Sequence, residues 1–98
     1  MAGKRIIWSA IAKSELKNTL AFYTKRNKSA TYSLKLLAEI EDLLKTLAHN
    51  EFIGRLSSNK KTRIIPIKAY LILYEIKKDS IQIVSFWDNR QEDKKFRL

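Results

Sequence analysis

The 98-residue sequence has no cysteine, one proline and two glycines. Without cysteine there is no disulfide framework, and with His49 as the single histidine no pair of imidazole or thiolate ligands has metal-site spacing. No metal or other cofactor is therefore expected. So few Gly and Pro argue against a disordered or repetitive segment, and no internal repeat or low-complexity tract is present. Acid is also scarce: 10 Asp and Glu stand against 20 Lys and Arg, a formal net charge of +10. No apolar run approaches the roughly 20 residues needed to span a bilayer. Met1-Ala2-Gly3-Lys4-Arg5 leads into a strand-like run rather than the apolar core of a signal peptide. The expectation is a cytoplasmic protein without a membrane partner.

What is present suits a globular chain, with 45% hydrophobic and 31% charged residues. A chain of this length makes one domain, residues 1–98, with little apolar surface to spare beyond its core. The organising stretch is Thr62 to Gln91. It holds three runs rich in Ile, Leu, Val, Phe and Tyr, separated by Lys68-Ala69 and by Lys77-Lys78-Asp79-Ser80, which predict three strands joined by tight turns. Pro66 cannot donate a ladder hydrogen bond, so it should sit at a bulge or face outward from an edge. Phe86 and Trp87 must point to opposite faces, which puts one of them outside the main core, either under covering chain or as a base-stacking platform. The last strand runs into Asp88-Asn89-Arg90-Gln91, polar side chains on a rigid support, and a working site is expected near that end.

Upstream, Arg5-Ile6-Ile7-Trp8 predicts a strand, and Ser9 is a good helix N-cap. Ala12, Leu16, Leu20 and Tyr23 then line one face of a helix ending near Arg26. Asn27-Lys28-Ser29 breaks the pattern and offers Asn27 or Ser29 as the next cap. From Ser29 to Ala48, the residues Leu36, Leu37, Ile40, Leu43, Leu44 and Leu47 keep a three-four rhythm. Two amphipathic helices joined by a few polar residues form an antiparallel hairpin, and a three-stranded meander with one apolar face needs such a cover. A coiled-coil partner for the Leu stripe is the alternative, weakened by a run of fewer than three heptads. The expected class is α+β: a strand, a helix hairpin, then an antiparallel three-stranded meander, with the helices on one face of the sheet. His49, in the last helical turn, is accounted for by the negative end of the helix dipole. Arg55 to Lys61 is read as a mobile basic loop.

Between Glu51 and Glu75 the chain carries Arg55, Lys60, Lys61, Arg63 and Lys68 and no acid. A locally positive segment favours nucleic acid or an acidic protein as partner, although excess lysine also serves solubility. Arg63, Lys68 and Tyr70 are open to two readings, an ordinary amphipathic strand face or a nucleic-acid contact surface.

Trp8-Ser9-x-x-Ala12-x-x-Glu15-Leu16, then Leu47, Asn50 and Gly54, then Arg63, Tyr70, Tyr74-Glu75-Ile76, Asp79-x-Ile81 and a closing Arg90-Gln91 together resemble the RelE/ParE superfamily of bacterial toxins. The resemblance covers nearly the whole chain. It implies the same strand, helix hairpin and meander, and the toxin half of a type II toxin-antitoxin pair with a cognate antitoxin as partner. The superfamily contains ribosome-dependent mRNA endonucleases and DNA gyrase poisons. Metal-independent cleavage through the RNA 2′-hydroxyl needs a proton acceptor, a proton donor and cations on the phosphate. Arg90, Arg63 and Lys61 are the candidates for catalysis on the nuclease reading. Lys60, Lys61, Arg63, Lys68, Arg90 and Gln91 are the candidates for target or nucleic-acid binding. Two departures lean toward the gyrase-directed members: Leu71 stands where a basic residue after Tyr70 would be sought, and Phe96 where a C-terminal hydroxyl would be. A non-toxic basic binding module is the third reading. Phe22, off the Leu16-Leu20-Tyr23 stripe, is expected to meet the antitoxin together with Arg55 and Lys68.

Overall fold

The computed structural model describes residues 3–88. The elements run β1 (Arg5–Trp8), α1 (Ala10–Asn27), α2 (Thr31–His49), β2 (Arg55–Leu56), β3 (Thr62–Ile67), β4 (Tyr70–Ile76) and β5 (Ser80–Asp88). They form a five-stranded sheet in the order β1-β5-β4-β3-β2. β1 pairs with β5 in parallel, and the remaining neighbours are antiparallel.

Each helix starts and stops for an identifiable reason. Ser9 takes an extended conformation and its Oγ accepts from the Ala12 amide at 3.0 Å, so it caps α1 as its residue type suggests. Lys28 closes α1 in the left-handed region at φ 54°, and the Lys28 and Ser29 amides reach back to the carbonyls of Lys25 and Thr24. The cap of α2 differs from expectation. Ala30 holds the N-cap position without a side-chain bond, while Ser29 Oγ accepts from the Thr31 amide at 3.2 Å.

The hairpin covers one sheet face. Ala12 and Leu16 of α1 and Leu36, Ile40, Leu44 and Leu47 of α2 pack on Ile65, Tyr70, Ile72, Tyr74, Ile81, Ile83 and Phe86. The two helices are also joined by a polar bond that periodicity does not reveal: buried Ser33 donates to the Leu20 carbonyl at 2.8 Å and meets Thr24 Oγ1 at 2.8 Å. Phe86 stacks on Tyr70 at 5.1 Å inside this core, and half-buried Trp87 pairs with Leu71 on the opposite face. Pro66 is exposed on β3, beyond the point where β2 ends, so its missing N–H costs no ladder bond.

β5 contains a bulge. Leu73 pairs with Ser85 but Tyr74 pairs with Ile83, which leaves Val84 as the extra residue. The start of α1 is stitched onto it. Ser9 Oγ donates to the Val84 carbonyl at 3.0 Å, and Glu15 Oε1 accepts from Ser85 Oγ at 2.8 Å and from the Phe86 amide at 2.9 Å. The Ser9 and Glu15 of the Trp8-to-Leu16 pattern thus fix helix to sheet.

The stretch Arg55 to Lys61 is not the mobile loop expected. It contains β2 and a tight turn into β3, with Ser57 donating its amide to Thr62 O at 2.9 Å. Asn59 organises that turn: its Oδ1 accepts from Ser57 Oγ, Lys61 N and Thr62 N, and its Nδ2 donates to Thr62 Oγ1. A single Asn replaces the ladder bonds that a hairpin tip cannot make for itself.

Candidate functional site

Alternation along β3 puts Arg63 on the same face as Ile65 and Ile67, the helix side, where it pairs with Tyr74. No helix lies over it there. Its Nη1 instead donates to the Gly54 carbonyl at 2.7 Å and reaches Phe52 O at 3.4 Å, and the guanidinium sits 5.0 Å from the centre of the Phe52 ring. Tyr74 holds the same loop from below. Its hydroxyl accepts from the Gly54 amide and donates to the Glu51 carbonyl, both at 2.9 Å. Gly54 is required by closeness, since a Cβ there would lie 2.7 Å from the Tyr74 hydroxyl oxygen and 3.0 Å from Ile64 O. A third tie comes from Lys4, whose Nζ meets Glu51 Oε2 at 3.1 Å and the Lys77 carbonyl at 2.8 Å.

The clamped loop presents apolar side chains to solvent. Phe52 is 66% exposed, Ile53 44% and Leu56 45%. Exposed Arg55 adjoins them, and Lys60 and Lys61 stand exposed at the tip of the same hairpin, Lys60 with φ 61°. Arg55, Lys60, Lys61 and Arg63 are therefore gathered at one corner of the sheet. Sequence reasoning missed the apolar part of this corner. The available signal was an apolar pair, Phe52-Ile53, outside either helical stripe and beside one of only two glycines.

Lys68 is separate from that corner. It lies five residues beyond Arg63, about 17 Å along an extended strand. There it forms the β3–β4 turn at φ 52°, with Nζ 3.2 Å from Glu39 Oε1. Phe22 belongs to the Lys68 end of the sheet. It is 56% exposed and edge-on to Tyr23 at 5.0 Å. It borders a cleft of about 260 Å³ lined by Asn18, Thr19, Phe22, Tyr23 and Asp88. Arg90, Gln91 and Phe96 lie outside the described residues.

Tyr70 is corrected on both of its readings: it is neither an exposed strand residue nor a surface contact but a core residue on the helix side. Burial, reinforced by hydrogen bonding to the hydroxyls of Tyr23 and Tyr32, drives its pKa far above the ordinary tyrosine range. Tyr74 is raised too, chiefly by burial and slightly by Glu51, against the opposing pull of the Gly54 hydrogen bond and Arg63. Neither hydroxyl is a proton acceptor near neutral pH. Leu71, on the other face, presents no ionisable group, and His49 is exposed at the end of α2. No group of acidic or histidine side chains among the described residues is placed to hold a metal ion. No helix among them is long and apolar enough to cross a membrane. The described surface offers cations, exposed apolar side chains and a cleft.

Residues 6–93 match the family described as the ParE toxin of the type II toxin-antitoxin system, parDE. The chain belongs to this family of toxins. Among solved structures it is similar to a chain described as the chromosomal ParDE toxin-antitoxin system from P. aeruginosa, with 19% identity and a TM-score of 0.72, over 87% of this chain and 95% of that one. That likeness establishes the shared fold, a strand, a helix hairpin and a mostly antiparallel sheet. No curated protein matches the chain.

Proposed function

We propose that the chain, as a type II toxin, arrests growth in the cytoplasm by binding DNA gyrase and not by cutting RNA. The observation that supports this reading is that the two tyrosines and the arginine of the meander that could serve RNA cleavage are engaged in the fold. Tyr70 and Tyr74 are buried and held protonated, and Arg63 is spent on the Gly54 carbonyl and the Phe52 ring. Cleavage of RNA without a proton acceptor forfeits roughly 10²- to 10⁴-fold in rate. The test is induced expression in a bacterial host, with bulk translation and DNA integrity followed separately. Gyrase-dependent breaks and a DNA-damage response are expected. Prompt translation arrest with mRNA cut inside ribosomes, and intact DNA, would promote the endoribonuclease reading; undisturbed growth would promote a non-toxic basic binding module.

Arg90 and Gln91 are proposed to contact the target, with Lys60 and Lys61 as supporting cations. Arg offers a planar fork to carboxylate or phosphate that Lys does not. Arg90→Ala should abolish most toxicity and leave the melting temperature near that of the parent; undiminished toxicity would reduce Arg90 to a surface ion pair. The antitoxin is proposed to lie along the hairpin and the basic edge, meeting Phe22, Arg55 and Lys68. Added salt should slow association, and Phe22→Ala should mainly speed dissociation.

A further inference from the structure

We infer that the corner formed by Phe52, Ile53 and Leu56 docks an acidic segment of the antitoxin through apolar anchors, at the end of the sheet opposite Phe22. The inference rests on the toxin-antitoxin reading above and adds a second anchoring point to it.

The three side chains form one patch for a geometric reason. Leu56 is directly opposite Arg63 in the β2–β3 pair, so the two share a face. Arg63 in turn lies over the Phe52 ring, and Ile53 follows Phe52 in the chain. Arg63 thus lies between Leu56 and Phe52, with its charge partly satisfied by the Gly54 carbonyl. Large apolar residues left uncovered in a contiguous group mark an interaction surface more often than scattered ones do.

The patch is also held in place before any partner arrives. Tyr74 ties down both Gly54 and Glu51, Lys4 ties down the Glu51 carboxylate, and Asn59 locks the hairpin tip. A surface ordered in advance loses little conformational entropy on binding.

Charge selects the occupant. Arg63 lies within the patch, Lys60 and Lys61 stand at the tip of the same hairpin, Arg55 projects from the other face of β2, and no acidic residue occurs from Phe52 to Tyr74. The acids that flank this stretch in the chain are paired: Glu51 with Lys4, and Glu75 with Lys77, each at 3.1 Å. A second copy of the chain would bring the same charges to the corner, and a net charge of +10 on each copy opposes that contact. An acidic segment with aliphatic or aromatic side chains matches both components. Register adds a backbone contact. The Ser57-to-Thr62 bond makes Leu56 and Arg63 a pair that exchanges no ladder bonds, so the Leu56 N–H and C=O point off the free edge of β2.

The test uses the intact toxin and its antitoxin. Hydrogen exchange of the parent toxin, free and in complex, should show slowed exchange across residues 52–57. In surface-immobilised kinetics, the double variant Phe52→Ser/Leu56→Ser should dissociate roughly tenfold to hundredfold faster, the range expected for loss of central anchors. Arg55→Glu should slow association and flatten its salt dependence. A double variant that melts like the parent and keeps the parent dissociation rate, or a corner that exchanges equally fast in the complex, overturns the inference while leaving the toxin-antitoxin reading intact. Protection of the corner by duplex DNA, or by dimerisation of the toxin, in place of the antitoxin also overturns it. Absence of any complex with the parent toxin would remove the toxin-antitoxin reading and the inference together.

Discussion

Replacing Gly54 by Ala tests the contact on which the basic corner is built. The added methyl would meet Tyr74 Oη at 2.7 Å, Tyr74 Cε1 at 2.8 Å and the Ile64 carbonyl oxygen at 3.0 Å. Neither neighbour can move aside cheaply, because Tyr74 is 0% exposed and Ile64 O belongs to the backbone of a central strand pair. If the atoms stay, overpacking costs about 1–3 kcal/mol. If the loop lifts, the Tyr74 hydroxyl loses the Gly54 amide and the Glu51 carbonyl, and a buried hydroxyl left without partners costs about 1–3 kcal/mol beyond the net worth of the bonds. Either route leads to a destabilisation of about 1–3 kcal/mol. At 4–8 °C per kcal/mol for a domain of this size, the melting temperature should fall by about 4–24 °C. Urea denaturation should show a lower midpoint with an unchanged slope. Adding Tyr74→Phe removes the nearest atom but not Cε1, so the double variant should be less unstable than the sum of the two single ones. A Gly54→Ala protein that melts within about 2 °C of the parent, or strict additivity in the double variant, would refute the close-approach argument.

Ser9→Ala removes the α1 cap and the bond to Val84 O, and should cost about 1–2 kcal/mol in chemical denaturation; no measurable loss would mean that water replaces both. Glu15→Ala leaves Ser85 and the Phe86 amide without their shared acceptor and should cost about 2–4 kcal/mol, with Glu15→Gln less harmful because one oxygen remains. Asn59→Ala should raise hydrogen exchange and protease cleavage between residues 57 and 62 while the helices keep their protection. Alkaline stability follows from Tyr70 and Tyr74. Both are raised above the ordinary value of 10.0. The folded state therefore holds their protons more tightly than the unfolded chain, so their contribution is complete below pH 10 and is lost as pH rises beyond it. Phenolate absorbance from these two rings should appear at higher pH in the folded protein than in the unfolded chain, and their free titration near pH 10 in a folded protein would contradict their burial.

Elements defined by local pattern were legible in the sequence. The Leu stripe of α2 and the breaks at Lys68-Ala69 and Lys77–Asp79 gave the hairpin and meander because each signal lies within one turn or one strand. β2 was not legible, since Arg55-Leu56 is too short to show alternation and is paired only through the Asn59 turn. Tyr70 was read with its charged neighbours, although its position two residues before Ile72 and four before Tyr74 puts all three on the core face. Arg63 faces inward by the same alternation, with Ile65 and Ile67. Its commitment to Gly54 and Phe52 depends on a loop that returns from α2, a nonlocal contact. The segment from Arg55 to Lys68 is continuous in sequence but divided in space, because one straight strand carries its two ends apart.

Purified components decide whether the toxin inhibits by binding gyrase. Toxin released from its antitoxin is added to gyrase and relaxed plasmid, and supercoiling and protein-linked double-strand breaks are measured as toxin is titrated. Loss of supercoiling with accumulation of linear DNA, reversed by adding back the antitoxin and absent with Arg90→Ala, is the predicted result. Full supercoiling and no breaks at a large molar excess of folded toxin, with mRNA cut in a parallel translation reaction, would contradict it.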